Sequence, residues 1–332
     1  MIEHGTHRPQ SLLVVTNWRS RALLPSEVYE PEFKAWAHDN GAYIYLVMIG
    51  PKTEIFDLIC EGHGWKVRTR FYDGVTMKLR TIPVSFDVIP EKSAIFADGL
   101  IEWGDADGQS HRANAVQIAR MVLEHALRSS DSLDEWHWDT IRKFFTYRVE
   151  YVGQSFGKSG ERTVAERIGE GHKTVQAVLA EVVDYNAGAA VAIVVMDAQV
   201  DRRESSFSIG ADNSDAVFEH VKQFMSTPDG PLGDKAKLVT VAEGMLIQAF
   251  PDARNRQYKS FPRRDAPALV KELMAAGISH LGIEMDVSQS LALVRHPDPG
   301  EEPSRQLRFA VSLETGERET PSTSAPLAWR AD

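Results

Sequence analysis

Hydrophobic positions recur along the chain in two rhythms, one close to two residues and one close to three and a half. SLLVVT (11–16) and AYIYLVMIG (42–50) are short β-branched and aromatic runs that predict strands, with Asn40-Gly41 marking a turn before the second. From Trp65 to Trp103 apolar and polar residues alternate in short runs punctuated by Gly and Pro, the pattern of a small antiparallel sheet. Val116, Ala119, Val122, Leu123 and Ala126 then fall at helical spacing. After RSSDS (128–132), strand and helix patterns alternate. A strand is predicted over 144–153, helices over 160–168 and 173–185, and a central strand over the apolar run AAVAIVVM (189–196). Further helices are predicted over 215–225, 237–250 and 266–276, and strands over 279–285, 291–294 and 307–313.

This order predicts a mixed α/β protein in several parts. A β-rich N-terminal domain of unknown role (1–128) precedes a compact α/β domain (131–262), a C-terminal α/β extension (263–316) and a disordered, Thr/Ser/Pro/Glu-rich tail (317–332). The 43% hydrophobic residues suffice for real cores. A formal net charge of −10 argues against wholesale wrapping of nucleic acid but leaves room for a small basic groove on an acidic body. The lone Cys60 excludes an intrachain disulfide framework and reads as a buried structural thiol. The chain has no signal-like start and no apolar stretch near the roughly 18 residues of a membrane span, so a soluble, cytoplasmic protein with no membrane partner is expected.

The candidate chemistry lies between Phe144 and Asn255. FFTYRVEYVGQS (144–155) is followed by a charged helix with Arg162 and Arg167 and then His172; VAEGMLIQAFPDARN (241–255) closes the stretch. Tyr151-Val152-Gly153 at a strand end, then Arg and His, then Glu243, Leu246, Ile247, Pro251 and Asn255 in that order, resembles the GIY-YIG endonuclease superfamily over roughly residues 144–262. The resemblance implies a GIY-YIG-like α/β nuclease domain that hydrolyses phosphodiester bonds in DNA, or in RNA, with Mg²⁺ or another divalent cation such as Mn²⁺. It implies that Glu243 holds the metal, Tyr151 orients or deprotonates the water and Arg162 or Arg167 contacts the phosphate. His172 would assist proton transfer and Asn255 would brace the site. Gly153, Lys158 in the run GKSGER (157–162), Tyr147 and Arg263 complete the expected substrate-binding set. The family places a first tyrosine on the preceding strand in a Gly-Ile-Tyr sequence. Here the nearest upstream tyrosine is Tyr147, which on one extended strand would share a face with Tyr151 about 13 Å away. Arg167 and His172 are five apart, so Gly169 and Gly171 are expected to interrupt the helix between them.

Rival readings use the same residues. An inactive nucleic-acid-binding or regulatory module with the same fold is the alternative from another class. GQSFGKS (153–159) also looks like a P-loop, with Asp197 as its acidic partner, but has three residues between its glycines where that loop needs four. Trp136-His137-Trp138 reads as domain-boundary packing or a base-stacking platform. Arg254, Arg256, Lys259, Arg263 and Arg264 form the most basic local stretch, either a rim for the nucleic-acid backbone or a solvated edge.

Overall fold

A computed structural model describes residues 10–17, 19–61, 64–73, 76–86, 95–97, 100–104, 110–114, 145–156, 162–169, 171–185, 188–206, 235–262, 264, 267–275, 278–287, 293–298 and 300–319. Its strands are β1 (Gln10–Thr16), β2 (Ser20–Leu23), β3 (Ile44–Pro51), β4 (Thr53–Glu61), β5 (Gly64–Asp73), β6 (Thr76–Phe86), β7 (Ile95–Ala97), β8 (Leu100–Gly104), β9 (Ser110–Asn114) and β10 (Thr146–Gln154). There follow β11 (Ala189–Met196), β12 (Gln199–Ser206), β13 (His280–Asp286), β14 (Leu293–Val294), β15 (Gln306–Ser312) and β16 (Arg318–Glu319). The helices are α1 (Pro31–Asp39), α2 (Val164–Gly169), α3 (Lys173–Tyr185), α4 (Lys235–Ala249) and α5 (Pro267–Ala275).

The protein is mixed α/β, built on two five-stranded sheets, β12-β1-β13-β15-β16 and β14-β10-β3-β11-β2, with the three-stranded sheets β4-β5-β6 and β7-β8-β9 as additions. The antiparallel pairing of β4 to β9 matches the alternation seen between Trp65 and Trp103. Residues from either side of position 130 share both large sheets. β3 lies between β10 and β11, and β1 lies between β12 and β13. The segment beyond 262 joins them too, through β13 against β1 and β14 against β10. The helices expected over 114–127 and 215–225, the RSSDS boundary and the Trp136–Trp138 cluster lie outside the described residues.

The core is organised by α4. Leu238, Val239, Val241, Ala242, Met245, Leu246, Ile247 and Ala249 are all buried, so apolar positions occupy most of the helix surface, as in a helix largely enclosed by protein. One side meets Ile44, Leu46, Met48 and Val152 of the β3/β10 sheet, and another meets Leu281, Ile283, Phe309 and Val311 of the other sheet. α4 is thus a buried layer between two sheets. Close packing requires Gly244, where a Cβ would stand 2.5 Å from the Phe261 ring. Gly244→Ala is therefore expected to destabilise the fold by roughly 1–3 kcal/mol, overpacking outweighing the gain in helix propensity; a thermal melt measures it. The opposite face of the β3/β10 sheet is covered by α1, α2 and α3 through Phe33, Val164, Ile168, Val175 and Val178. Among the described residues no helix is long and apolar enough to cross a membrane.

Candidate active site

Strand alternation assigns the faces. On β3, Ile44, Leu46 and Met48 point to α4, so Tyr45 and Val47 point to the α1–α3 side. β10 runs antiparallel to β3, and its register slips between Val149, opposite Met48, and Tyr151, opposite Val47. Glu150 is the extra residue of this bulge, and an extra residue inverts the alternation beyond it. Tyr147 and Tyr151 therefore do not share a face. Tyr147 packs into the α4 core over Gly50, where a Cβ would lie 2.4 Å from its ring, and burial pushes its hydroxyl up to about 12. Tyr151 instead joins Tyr45, ring centroids 6.1 Å apart.

Gly153 stands directly opposite Tyr45 across the ladder. A Cβ there would lie 2.4 Å from Tyr45 Cζ and 2.5 Å from its hydroxyl oxygen, so the glycine is the seat on which the Tyr45 ring rests.

Arg167 and His172 reach the tyrosines by a broken helix. Thr163 and Glu166 form a capping box, the Thr163 N–H donating to Glu166 (2.8 Å) and the Glu166 N–H to Thr163 Oγ1 (3.3 Å). This starts α2 at Val164 rather than at 160 and places Arg167 in its last turn. Gly171, at φ +87°, ends the turn in the left-handed region. His172 then caps α3 from just before its first residue, its carbonyl accepting the Gln176 N–H at 3.0 Å. The interruption brings Arg167 Nη2 to 3.5 Å from His172 Nε2. The imidazole centroid is 5.4 Å from the Tyr151 ring and 6.2 Å from the Tyr45 ring. Burial, then the Arg167 and Arg162 charges, lower the His172 pKa and keep the ring neutral at pH 7.

Glu243 arrives from α4. The residue is only 7% exposed, and burial raises its pKa to about 7 against the opposing pull of Arg167 and of hydrogen bonding to the Gln154 side chain and backbone. It is close enough for its charge to act on both tyrosine hydroxyls, whose pKa values are raised first by burial. Arg167 favours ionisation of Tyr45, Tyr151 and Glu243 alike and sits electrostatically at the centre. Yet the buried Tyr45 Oη, Arg167 Nε and His172 Nδ1 complete no well-aligned hydrogen bond with the described residues. The Tyr45 hydroxyl still lies within interaction range of Arg167 and Tyr151, so the polar atoms are gathered in one place.

Asn255 is buried beside β10 beyond its short pairing with β14, its amide accepting from the Val152 N–H (3.0 Å) and donating to the Val152 carbonyl (2.7 Å) as a neighbouring strand would. Arg254 is exposed, and its guanidinium binds Glu150 and Glu181. Arg256 and Arg264 are exposed, and Lys259 donates to the Pro251 carbonyl at 3.2 Å. Lys158 and Arg263 lie outside the described residues. Asp197 is occupied locally, accepting from the Arg19 N–H (3.0 Å) and the Gln199 amide (2.7 Å) where β2 meets β11.

The structure thus brings together Tyr151, Arg167, His172 and Glu243, with Arg162 near His172, and adds Tyr45 and Gln154. Gln154 stood within the YVGQS run. The signal for Tyr45 was the strand AYIYLVMIG itself, whose tyrosine at its start mirrors a Gly-Ile-Tyr strand, but residues 52–145 separate it from Tyr151. Chemically, one ionisable carboxylate, a guanidinium, a neutral imidazole and two phenols can bind an anion beside a cation and move one proton.

Removing the central cation has a definite expected result. Arg167→Met should raise the His172 pKa, since a cation that disfavoured imidazolium is gone, and should raise that of Glu243 further above 7. An NMR titration of the His172 ring protons measures the first shift; an unmoved His172 would remove Arg167 from the site.

Compared with known proteins, the chain matches no protein-family model, no curated protein and no solved structure.

Proposed function

We propose that this chain is a GIY-YIG-type endonuclease that hydrolyses phosphodiester bonds in DNA, or in RNA, with a divalent cation. One observation carries the reading: Tyr45 and Tyr151, on adjacent antiparallel strands, share a sheet face and one electrostatic environment with Arg167, His172 and Glu243. The GIY-YIG pattern asks for two strand tyrosines, an arginine, a histidine and a glutamate from a later helix. Tyr45 takes the place that Tyr147 cannot.

Each residue then has a task. Arg167 offers planar donors to the non-bridging oxygens of the scissile phosphate. Tyr45 and Tyr151 position the attacking water by hydrogen bonds, and neutral His172 accepts its proton as the water oxygen bonds to phosphorus and the P–O ester bond breaks. Glu243 is the residue that would hold a divalent cation, and Mg²⁺ or Mn²⁺ suits it. Mg²⁺ commonly takes one or two carboxylates, keeps several waters and shares substrate phosphate oxygens, so a single buried carboxylate fits that donor set. Such an ion would stabilise the charge on the leaving oxygen. The strands β4 to β9, inserted in sequence between β3 and β10, are available to choose the substrate.

The test is cleavage of supercoiled plasmid, single-stranded DNA and RNA by the purified chain in Mg²⁺ or Mn²⁺, with and without chelator. Nicking or cutting that chelator stops is the expected result. Nucleic-acid binding without cleavage under every divalent ion would replace this reading by an inactive binding module. ATP hydrolysis without nucleic-acid cleavage would favour the P-loop reading.

A further inference from the structure

We propose that Arg254 is a positioning residue that registers the three elements carrying the site, an inference that rests on the nuclease reading above. Its backbone N–H donates to the Glu150 carbonyl at 2.7 Å. Its Nε donates to Glu150 Oε2 at 2.9 Å, and its Nη1 donates to Glu181 Oε2. Glu150 belongs to β10 and is the residue beside Tyr151; Glu181 belongs to α3, which His172 immediately precedes; Arg254 itself ends the strap that leaves α4, the helix of Glu243. One guanidinium therefore joins the strand of the second tyrosine, the helix of the histidine and the segment from the glutamate.

The arrangement around it is built rather than incidental. Glu150 is the bulge residue, only 5% exposed, and a buried carboxylate needs charged partners; Arg254 and Arg148 supply them. Asn255, the next residue, pairs both backbone groups of Val152. The strap thus grips β10 at residues 150 and 152, on either side of Tyr151, whose side chain is left pointing into the site. The bulge that turns Tyr151 toward Tyr45 is held open by the same ion pair. Arg254 touches neither substrate nor reacting atoms in this scheme. It acts through Tyr151 and His172, where an error of about 1 Å can cost on the order of a hundredfold in rate.

The experiment compares wild type, Arg254→Met, Arg254→Lys and Glu150→Gln for kcat and KM in Mg²⁺-dependent cleavage, thermal unfolding, and hydrogen exchange of the Val152 amide. Arg254→Met is expected to lower kcat about 10- to 100-fold with KM within about twofold. Val152 exchange should accelerate while the remaining β3/β10 amides stay protected. Arg254→Lys, which can keep the Glu150 pair but not both partners at once, should recover part of kcat. A melt that stays cooperative shows that the loss is not unfolding; if Arg254→Met does not fold, Glu150→Gln and Arg254→Lys carry the same comparison. Unchanged kcat in folded Arg254→Met, with wild type active, overturns the positioning role and leaves the nuclease reading standing. A wild type that cleaves nothing removes the nuclease reading and with it the positioning role, whereas lost Val152 protection would still register the clasp as a structural tie.

Discussion

Glu243→Gln should sharply reduce cleavage while making the protein more stable above pH 7. The two effects have one cause. Glu243 is the single charged residue among the buried positions of α4, enclosed between two sheets, and burial raises its pKa from 4.5 to about 7. Between those values the folded chain holds a proton that the unfolded chain has already released, so stability falls as pH rises through this window. At about 1.36 kcal/mol per unit the penalty, complete above pH 7, is roughly 3 kcal/mol. Glutamine keeps the shape and the Gln154 contact without the charge. At pH 8 the variant should melt several degrees higher than wild type; at pH 4.5, where Glu243 is protonated in the folded protein, the two should melt together. Cleavage should fall on the order of a hundred- to a thousandfold, the scale for losing one well-placed electrostatic group. A carboxylate that weakens the fold and is buried where its charge reaches two phenols and a guanidinium fits the proposed role, since function commonly costs stability. Equal melting of wild type and variant at pH 8 would show that Glu243 is better solvated than its surroundings imply. Undiminished cleavage would remove it from the mechanism.

What could be read from the chain beforehand was local. The strand before Gly153, the helix from Lys173 to Tyr185, the central strand from Ala189 to Met196 and the buried helix around Glu243 all follow from periodicity over ten to fifteen residues. The glycine break between Arg167 and His172 was legible for the same reason. Three features were not. Tyr45 meets Tyr151 only because β3 pairs with β10 across residues 52–145, and no short window contains both strands. The bulge at Glu150 adds one residue, which leaves the apolar pattern almost unchanged yet moves Tyr147 and Tyr151 to opposite faces. The clasp made by Arg254 was hidden because its partners, Glu150 and Glu181, are 104 and 73 positions away. A division drawn near residue 130 has the same origin: composition shifts are local, whereas the pairings of β1 and β3 are long-range.

Gly153→Ala should remove most of the activity without touching any group that meets substrate. The added Cβ would stand 2.4 to 2.8 Å from the Tyr45 ring, well inside contact distance, and Tyr45 is fully buried with Val47 and Ile193 in the core beneath α1–α3. The ring must tilt, and its hydroxyl leaves the neighbourhood of Tyr151 and Arg167. Destabilisation of roughly 1–3 kcal/mol and a loss of about a hundredfold in cleavage are expected. Tyr45→Phe separates these effects. It deletes only the hydroxyl, which interacts with Arg167 and Tyr151, and keeps the ring packing, so stability should change by no more than about 1.5 kcal/mol, while cleavage should still fall by a similar factor. Combining Tyr45→Phe with Tyr151→Phe should cost less than the product of the single losses, because two hydroxyls that position one water act as a unit. The decisive combination is Gly153→Ala with Tyr45→Ala. Removing the ring removes the clash, so the pair should be more stable than the sum of its single effects predicts, a coupling expected only between residues in contact. Its cleavage should stay as low as that of Tyr45→Ala alone. Full activity in Gly153→Ala would mean that the placement of Tyr45 is irrelevant to the chemistry, and the two-tyrosine site would then have no support from β3.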